Sequence, residues 1–280
     1  MTTGFFNLFK EESVTSTALV NRMKRLTKTP CGHMGTLDPL AAGVLPVGVG
    51  RATRLFDYFL KKQKRYTARF RFGATTKTLD REGEIITGGH VPSEVEIKSV
   101  LKDFIGEIAQ VPPAYSAKSV NGKRSYELAR AGQEVELPAK QVRIFSFELL
   151  TQTGEDEFEF EISCGGGTYI RSLARDVASS LGTLGYMTKL TRTASGVFVL
   201  ENAVPVEQIT EENANEFLIP TESVLPFPIL SEKETDGRIF HGIAVDTGLS
   251  DGDYKIYNNG YFYGIARAVA GKMKIAVKLC

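Results

Sequence analysis

Three segments of the chain alternate between polar and apolar residues, and this alternation constrains the fold more than any other feature of the sequence. They are residues 65–72, 141–150 and 157–164. In the first, RYTARFRF, every second residue from Tyr66 to Phe72 is apolar, and three arginines stand among the others. Successive side chains of a strand point to opposite faces, so the pattern predicts strands with one face on a hydrophobic core.

Three other segments have the helical spacing of apolar residues. They are residues 15–26, 93–108 and 168–182. Thr15 or Ser16 can cap the first helix, and Ser93 with Glu96 has the spacing of a capping box at the start of the second. Gly182 is placed to end the third. The mixture predicts an α+β fold around a mixed, mostly antiparallel sheet.

Residues 201–236 mark the clearest boundary in the chain, because they carry nine acidic residues, one basic residue and four prolines. The segment after them is rich in Tyr, Ile and Val, and Asn-Asn-Gly at 258–260 and Ala-Gly at 270–271 predict hairpin turns. We therefore predict a main domain over residues 1–229 and a small all-β domain over 230–280. So short a unit is expected to dock on the main domain, since it is too small to be very stable alone.

The composition is that of an ordinary soluble protein, with 42% hydrophobic and 24% charged residues. The most apolar run, residues 39–50, is short and interrupted by Gly and Pro, and no signal-peptide pattern is present. The three cysteines form no C-x-x-C pair, and no His, Cys or carboxylate group has metal-ligand spacing. These features predict a cytoplasmic protein without a membrane span, a disulfide framework or a metal site.

The net charge of +1 conceals a strong asymmetry along the chain. Residues 1–80 hold 14 Lys and Arg against 5 Asp and Glu, a balance of +9, and the remaining 200 residues hold 20 against 28, a balance of −8. A cationic N-terminal part favours a partner with many negative charges, such as a nucleic acid, although folding can also mix the two parts.

Asp38 is the only acidic residue between Ser13 and Phe56. The cations in the same interval are Arg22, Lys24, Arg25, Lys28, Arg51 and Arg54. Asp before Pro is common in turns, where the proline keeps it extended. In this glycine-rich, cationic setting the carboxylate is also a candidate nucleophile, base or charge partner.

Three further positions have chemical interest. His33, five residues before Asp38, is a candidate catalyst or stacking ring, or a structural histidine. The run CGGGT at 164–168 precedes a helix, which together with Arg171 predicts an anion-binding bend. It lacks the Lys-Ser/Thr of an NTP-binding P-loop. Tyr66 opens an alternating strand, and a core tyrosine is the simpler interpretation of that position.

The segment GHMGTLDPLAAGVLPVGVGRATR, residues 32–54, resembles the catalytic motif of the TruB-type tRNA pseudouridine synthases, which isomerise uridine 55 (conventional tRNA numbering) in the T loop. Further segments are similar to family motifs in the same order and spacing. They are residues 7–16, 64–84, 112–132 and 167–182. The resemblance covers essentially the whole chain. It implies a pseudouridine-synthase catalytic domain followed by a small PUA-like, RNA-binding β domain.

The resemblance also implies roles for single residues. Asp38 matches the catalytic aspartate, Tyr66 the residue that stacks on the base and accepts its proton, and Arg171 the ion-pair partner of the aspartate. The positions that match substrate-binding residues are His33, Lys10, Gly35 and Leu190. Among these, the histidine is expected to hold the RNA loop open after the target base leaves the stack, and the leucine to line the uracil pocket.

Some positions depart from the family pattern. Lys10 is not followed by the usual proline, glycines of the CGGGT run replace a common Ser-Lys pair, and Thr191 stands where a second arginine often occurs. None of these departures removes Asp38, Tyr66 or Arg171, so the resemblance still implies an active enzyme.

The resemblance predicts isomerisation of a flipped-out uridine without a cofactor, with the T stem-loop of tRNA rather than DNA as partner, by a monomer. Asp38 either attacks the ribose or abstracts its 2′ proton, and the sequence does not choose between these routes. One alternative is a non-catalytic tRNA binder or folding chaperone, against which the intact Asp38, Tyr66 and Arg171 count. Another is a nucleotide- or phosphate-handling enzyme that uses CGGGT as its anion loop, against which the missing Lys-Ser/Thr counts.

Overall fold

A computed structural model describes residues 3–115, 119–120, 123–124, 133 and 137–280. Most of the motif at 112–132 lies outside these residues. The helices are α1 Ser16–Thr27, α2 Phe56–Leu60, α3 Glu94–Leu101 and α4 Ile170–Ser180. Thr15 caps α1 by accepting a hydrogen bond from Ala18 N at 3.1 Å, and the predicted capping box of Ser93 and Glu96 is present at α3.

The strands are numbered in chain order. They are β1 Gly4–Lys10, β2 Cys31–His33, β3 Ala42–Val49, β4 Lys64–Phe72, β5 Ala74–Thr76, β6 Ile85–Thr87, β7 Gly106–Gln110, β8 Ser119–Val120, β9 Lys123–Arg124, β10 Lys140–Gln152, β11 Glu157–Cys164, β12 Gly185–Ser195, β13 Phe198–Val199, β14 Val204–Pro205, β15 Ile229–Leu230, β16 Val245–Asp246, β17 Gly252–Asn258, β18 Tyr261–Val269 and β19 Lys272–Lys278. The three segments predicted from their alternation form β4, β10 and β11.

Within the described ranges, one sheet has ten strands in the order β14-β1-β3-β12-β4-β11-β10-β7, with β2 paired to β3 and β13 to β12. Its pairs are antiparallel except β1 with β14 and β3 with β12, which are parallel. The predicted mixed, mostly antiparallel sheet is therefore confirmed. Strand β4 lies at the centre between β11 and β12, so its buried face is the floor on which the site is built.

The largest core cluster fills the space between the apolar face of β4 and β11 and the helices α3 and α4. Phe70 and Phe160 stack there with ring centroids 4.7 Å apart, and Ile97 and Leu173 reach them from the helices. Burying each side chain of this kind contributes about 1.5–3 kcal/mol relative to leaving it exposed. The alternation in the sequence thus fixes a rigid central strand under α4.

The helix predicted over residues 93–108 was too long. Helix α3 ends at Leu101, a 3-10 turn follows, and residues 106–110 form β7 against β10, with Ile108 opposite Val142. Gly106 has φ +105°, a conformation that an α-helix cannot contain. Pairing with the edge of the sheet gives the segment backbone hydrogen bonds in place of those of a longer helix.

The C-terminal part forms a second sheet in the order β15-β17-β18-β19-β16. Both predicted hairpin turns are present, at residues 259–260 and 270–271. Both residues of each turn have φ > 0, as a type I′ turn requires. Ile265 of this sheet and Leu279, just after β19, pack with Phe59 of the main domain, and Arg54 Nη1 donates to Lys278 O at 2.9 Å. The small β unit is thus docked as predicted. The division at 229/230 stays a prediction.

Among the residues that the structure describes, we find no helix of the length and apolar character needed to cross a bilayer.

Candidate active site

A pocket of about 220 Å³ opens where the loop before β3, strands β4 and β12, and the start of α4 meet. Its lining includes Gly35, Asp38, Tyr66, Arg171 and Leu190, which are residues singled out from the sequence. Segments that are far apart in the chain therefore place these five residues around one cavity.

Asp38 lies in a loop whose backbone is hydrogen-bonded to the buried side chains of Lys10 and Ser16. Lys10 is buried, and its ammonium donates to the carbonyls of Glu11, Pro39 and Ala41. Ser16 Oγ donates to Leu37 O at 2.9 Å and accepts from Leu37 N at 3.0 Å. Burial lowers the pKa of Lys10 to about 8, although the nearby Asp38 carboxylate opposes the shift.

Arg171, in the first turn of α4, binds both acidic residues of the site. Its Nη2 lies 2.8 Å from Asp38 Oδ2, and its Nη1 lies 3.2 Å from Asp80 Oδ2. The same two nitrogens donate to Tyr115 O and Thr78 O, both at 3.1 Å. A guanidinium satisfied on several sides presents Asp38 in one orientation.

The two carboxylates that share Arg171 differ in exposure. The Asp38 side chain is 36% exposed at the pocket, whereas that of Asp80 is only 4% exposed. Asp80 Oδ1 accepts from Thr78 Oγ1 at 2.6 Å and from Glu82 N at 3.1 Å. Asp80 therefore has the environment of a fixed internal counter-ion, and Asp38 that of a group that can reach a ligand.

Tyr66 and Arg192 form the floor of the pocket. They are paired opposite each other on β4 and β12, and both are buried. Burial raises the pKa of the Tyr66 phenol to about 12, and Arg192 opposes this shift. The phenol is consequently protonated near neutral pH, with a guanidinium beside its oxygen.

Lys64 is another buried cation. It lies on β4, on the same face of the strand as Tyr66. Its ammonium donates to the carbonyls of Phe59, Leu60 and Lys62, and burial lowers its pKa to about 8. Gly166 passes so close that a Cβ there would lie 1.8 Å from Leu60 O. The CGGGT run thus packs against the α2–β4 connection, and its end lines the pocket.

His33 and Lys10 are not among the described residues that line the pocket. His33 lies on β2, and burial lowers the pKa of its imidazole, with a smaller effect of Arg192 in the same direction. Lys10 supports the Asp38 loop from beneath. Direct contact of these two side chains with a substrate stays a prediction.

Sequence reasoning missed Asp80, Lys64 and Arg192 as parts of the site. A signal existed for Arg192, because it shares with Leu190 and Ala194 the buried face of β12. Charged residues at inward strand positions are rare and are often functional. For Asp80, the signal was limited to its place in the motif at 64–84.

Gly43 is required for the close approach of β3 to β12. It has φ +107°, and a Cβ there would lie 2.2 Å from Arg192 O. We expect Gly43→Ala to lower the free energy of unfolding by about 3 kcal/mol or more, from backbone strain and overpacking together. The matched control is Gly182→Ala, also at positive φ but with nothing within 4 Å, for which about 1 kcal/mol is expected. Equal losses in urea titrations of the two variants would contradict this reading.

The described part of the chain contains no group of three or more His, Cys, Asp or Glu arranged to hold a metal ion. The polar residues of the pocket lining are one aspartate, two tyrosines, two threonines and three cations. Their chemistry suits a neutral or anionic organic ring and a sugar.

The model of the TruB family pseudouridylate synthase (N terminal domain) matches residues 23–170. The chain is 37% identical over 278 residues to the tRNA pseudouridine synthase B of Caldanaerobacter subterraneus subsp. tengcongensis, with 97% of each chain covered. It is 39% identical over 286 residues to the protein of the same name from Acaryochloris marina, covering 99% of this chain and 98% of the relative.

The fold is similar to a structure described as "Crystal Structure of a Cbf5-Nop10-Gar1 Complex", with a TM-score of 0.73, 26% identity, and coverage of 99% of this chain and 84% of that chain. The match to the family model spans Asp38, Tyr66 and Asp80 and ends just before Arg171, and the curated relatives match the chain over nearly its whole length. The chain therefore belongs to the TruB family of pseudouridylate synthases.

Proposed function

We propose that this protein isomerises uridine to pseudouridine at position 55 in the T loop of tRNA, with Asp38 as the catalytic carboxylate and without a cofactor. The observation that carries the proposal is the partly exposed Asp38 carboxylate, held by Arg171 at the mouth of a pocket that Tyr66 and Leu190 line. The names of the curated relatives support tRNA as the substrate. Action as a monomer in the cytoplasm belongs to the same proposal.

The reaction breaks the N1–C1′ bond of uridine, turns the uracil and forms a C5–C1′ bond. Asp38 starts it either by attack on the ribose or by removal of the 2′ proton, and both routes need one carboxylate at the sugar. Because Arg171 already binds one carboxylate oxygen, the other is free to face the ribose. The C5 proton then leaves, and Tyr66 is the base we assign to it.

The pocket accepts a base that has left the stack. Tyr66 offers an aromatic face and Leu190 an apolar one, so a flipped uracil regains part of the stacking that it loses. Flipping costs a few kcal/mol, and contacts to the RNA backbone outside the pocket offset this cost.

Three cations beside the CGGGT run suit such backbone contacts. Lys61 and Arg143 line a groove next to Gly165 and Gly166, and Lys140 Nζ lies over Gly167. None of the three is in an ion pair within the described ranges. The ring of Phe145 in the same groove is 43% exposed, with Arg143 Cζ 5.5 Å from its centroid. Glu107 lines the groove as well, so cations outnumber acidic residues there but are not alone. A groove with excess positive charge and an aromatic platform fits a nucleotide that flanks the target.

We expect the double variant Lys140→Gln/Arg143→Gln to raise KM for T-loop RNA with kcat unchanged. The slope of log affinity against log salt concentration should decrease by about 1.4–1.8, since two phosphate contacts are lost. The control, Lys98→Gln on α3 with Lys102→Gln in the 3-10 turn that follows it, removes the same charge elsewhere and should leave the slope near wild type. A slope that falls equally in both variants would mean that only net charge matters.

The test of the function is tritium release from C5-labelled uridine in a T-loop RNA, with RNA binding measured in parallel. Release of one tritium per target uridine, together with pseudouridine in the digested product, supports the proposal. Binding without release by the wild-type protein would overturn it in favour of the non-catalytic tRNA binder. Release from other RNA sites but not from position 55 would overturn the assigned position alone.

A further inference from the structure

Arg192 is a buried cation for which the described residues provide no carboxylate partner. Its side chain is fully buried, Nε donates to Val44 O at 2.7 Å, and Nη2 donates to Gly35 O at 3.1 Å. A third hydrogen bond to a backbone carbonyl, from Nη1 to Thr36 O, is long at 3.5 Å. Buried guanidinium groups are normally paired with an anion, because desolvating the charge is costly.

The cations around Arg192 make its position less favourable still. Lys10 and Lys64 are both close enough for Arg192 to lower the pKa of their ammonium groups. A buried group of like charges without enough carboxylates is poised to receive negative charge. An atom in the pocket that can become negatively charged would therefore be stabilised by these cations.

The phenol oxygen of Tyr66 is the group that faces the guanidinium. The two residues are opposite each other in the register of β4 and β12, and the interaction affects the ionisation of both side chains. The other titratable groups around the phenol include Cys164 on β11, Asp38 on the loop before β3 and Lys64 two residues earlier on β4. Arg171 of α4 and Tyr169 just before it line the same pocket. Asp38 opposes a negative charge on Tyr66, so Arg192 is the main group that favours one.

We propose that Arg192 is a positioning residue for removal of the C5 proton, and that its guanidinium stabilises the phenolate form of Tyr66, which is the form that removes this proton. This inference rests on the proposed function of the protein. In this proposal, Arg192 does not contact the reacting carbon of the substrate. The backbone carbonyls of Gly35, Thr36 and Val44 hold the guanidinium in place, and the phenolate supplies the missing anion.

After C5 has bonded to C1′, C5 still carries its hydrogen, and the ring has a C6=N1 double bond. The Tyr66 phenol first gives its proton to water. The phenolate then takes the C5 hydrogen as a proton, the C5–H electron pair forms C5=C6, and the C6=N1 pair moves to N1, which takes a proton from water. Nothing is oxidised or reduced, and Tyr66 ends as the phenol.

The test combines Arg192→Gln, Arg192→Lys and Tyr66→Phe in the full chain, with tritium release from C5-labelled T-loop RNA as the readout. We expect Arg192→Gln to slow release about 100-fold, the range of a lost general-base contribution, and Arg192→Lys to recover part of it. In the Tyr66→Phe background, Arg192→Gln should have no further effect, because the group it acts through is gone. An undiminished effect in that background would show that Arg192 acts on the substrate directly, and would overturn the inference.

A second measurement separates electrostatics from folding. A ring-fluorinated tyrosine at position 66 ionises at lower pH, so it should restore release in Arg192→Gln, or in Arg192→Lys if the glutamine variant does not fold. A purely structural role of Arg192 predicts no such rescue, and absence of rescue in a folded variant overturns the inference. The chain has no Trp, so tyrosinate absorbance can follow ionisation, as the difference between proteins with and without Tyr66→Phe. Failure of wild type to release tritium from T-loop RNA is a different result and contradicts the proposed function.

Discussion

Asp38→Asn is expected to abolish tritium release from T-loop RNA, with a loss of more than about 10⁴-fold in kcat, while RNA binding stays within a few fold of wild type. Loss of a group that forms or breaks a bond to the substrate has effects of this size. The amide keeps the shape of the side chain and can still accept from Arg171, so the pocket should be retained. What it lacks is a carboxylate oxygen able to attack the ribose or take its 2′ proton.

The fold should tolerate this substitution, which makes the result interpretable. Asp38 is partly exposed, and Arg171 keeps Asp80 as a partner when the Asp38 charge is removed. A matched control is Asp176→Asn, since Asp176 also pairs with an arginine on α4 but does not line the pocket. That variant should release tritium at the wild-type rate. Turnover by Asp38→Asn within tenfold of wild type would exclude Asp38 as the catalytic carboxylate.

Patterns within one segment predicted most of the elements around the site. The alternation in 65–72 and 157–164 correctly assigned the central strands. Apolar residues at every second position over this length are buried on one side only in a β-strand. The capping residues of α1 and α3 were correct because capping depends on neighbours in sequence. The family prediction was likewise confirmed, because it rested on ordered motifs across the chain.

Features that depend on distant contacts were not predictable in the same way. The sequence shows Lys10 as one more N-terminal cation, but carbonyls of the loop at 39–41 converge on it and bury it. The cations of α1 and of its C-cap are also partly neutralised, because Arg22 pairs with Glu207 and Lys28 with Glu211 of the acidic segment. Folding thus does mix the cationic and anionic parts of the chain at this helix, while Lys61, Lys140 and Arg143 beside the pocket form no ion pair with any described residue.

Replacement of Arg171 should have the largest effect on stability. Arg171→Met removes both ion pairs and leaves the buried Asp80 carboxylate without its cation, for which about 3–5 kcal/mol of lost unfolding free energy is expected. The variant should also fail to release tritium, because Asp38 loses the group that orients it. Urea denaturation followed by circular dichroism measures the first effect, and the C5-tritium assay the second.

The double variant Arg171→Met/Asp80→Asn distinguishes an uncompensated charge from simple loss of packing. Asn at position 80 can still accept from Thr78 Oγ1 and Glu82 N, but it carries no charge to desolvate. We therefore expect the double variant to be more stable than Arg171→Met alone, since removing both partners of a buried pair is often close to neutral. It should remain inactive, because the orientation of Asp38 is not restored. Additive losses of stability in the two single variants would show instead that Arg171 and Asp80 contribute independently, and that the buried pair is not what holds the guanidinium beneath Asp38.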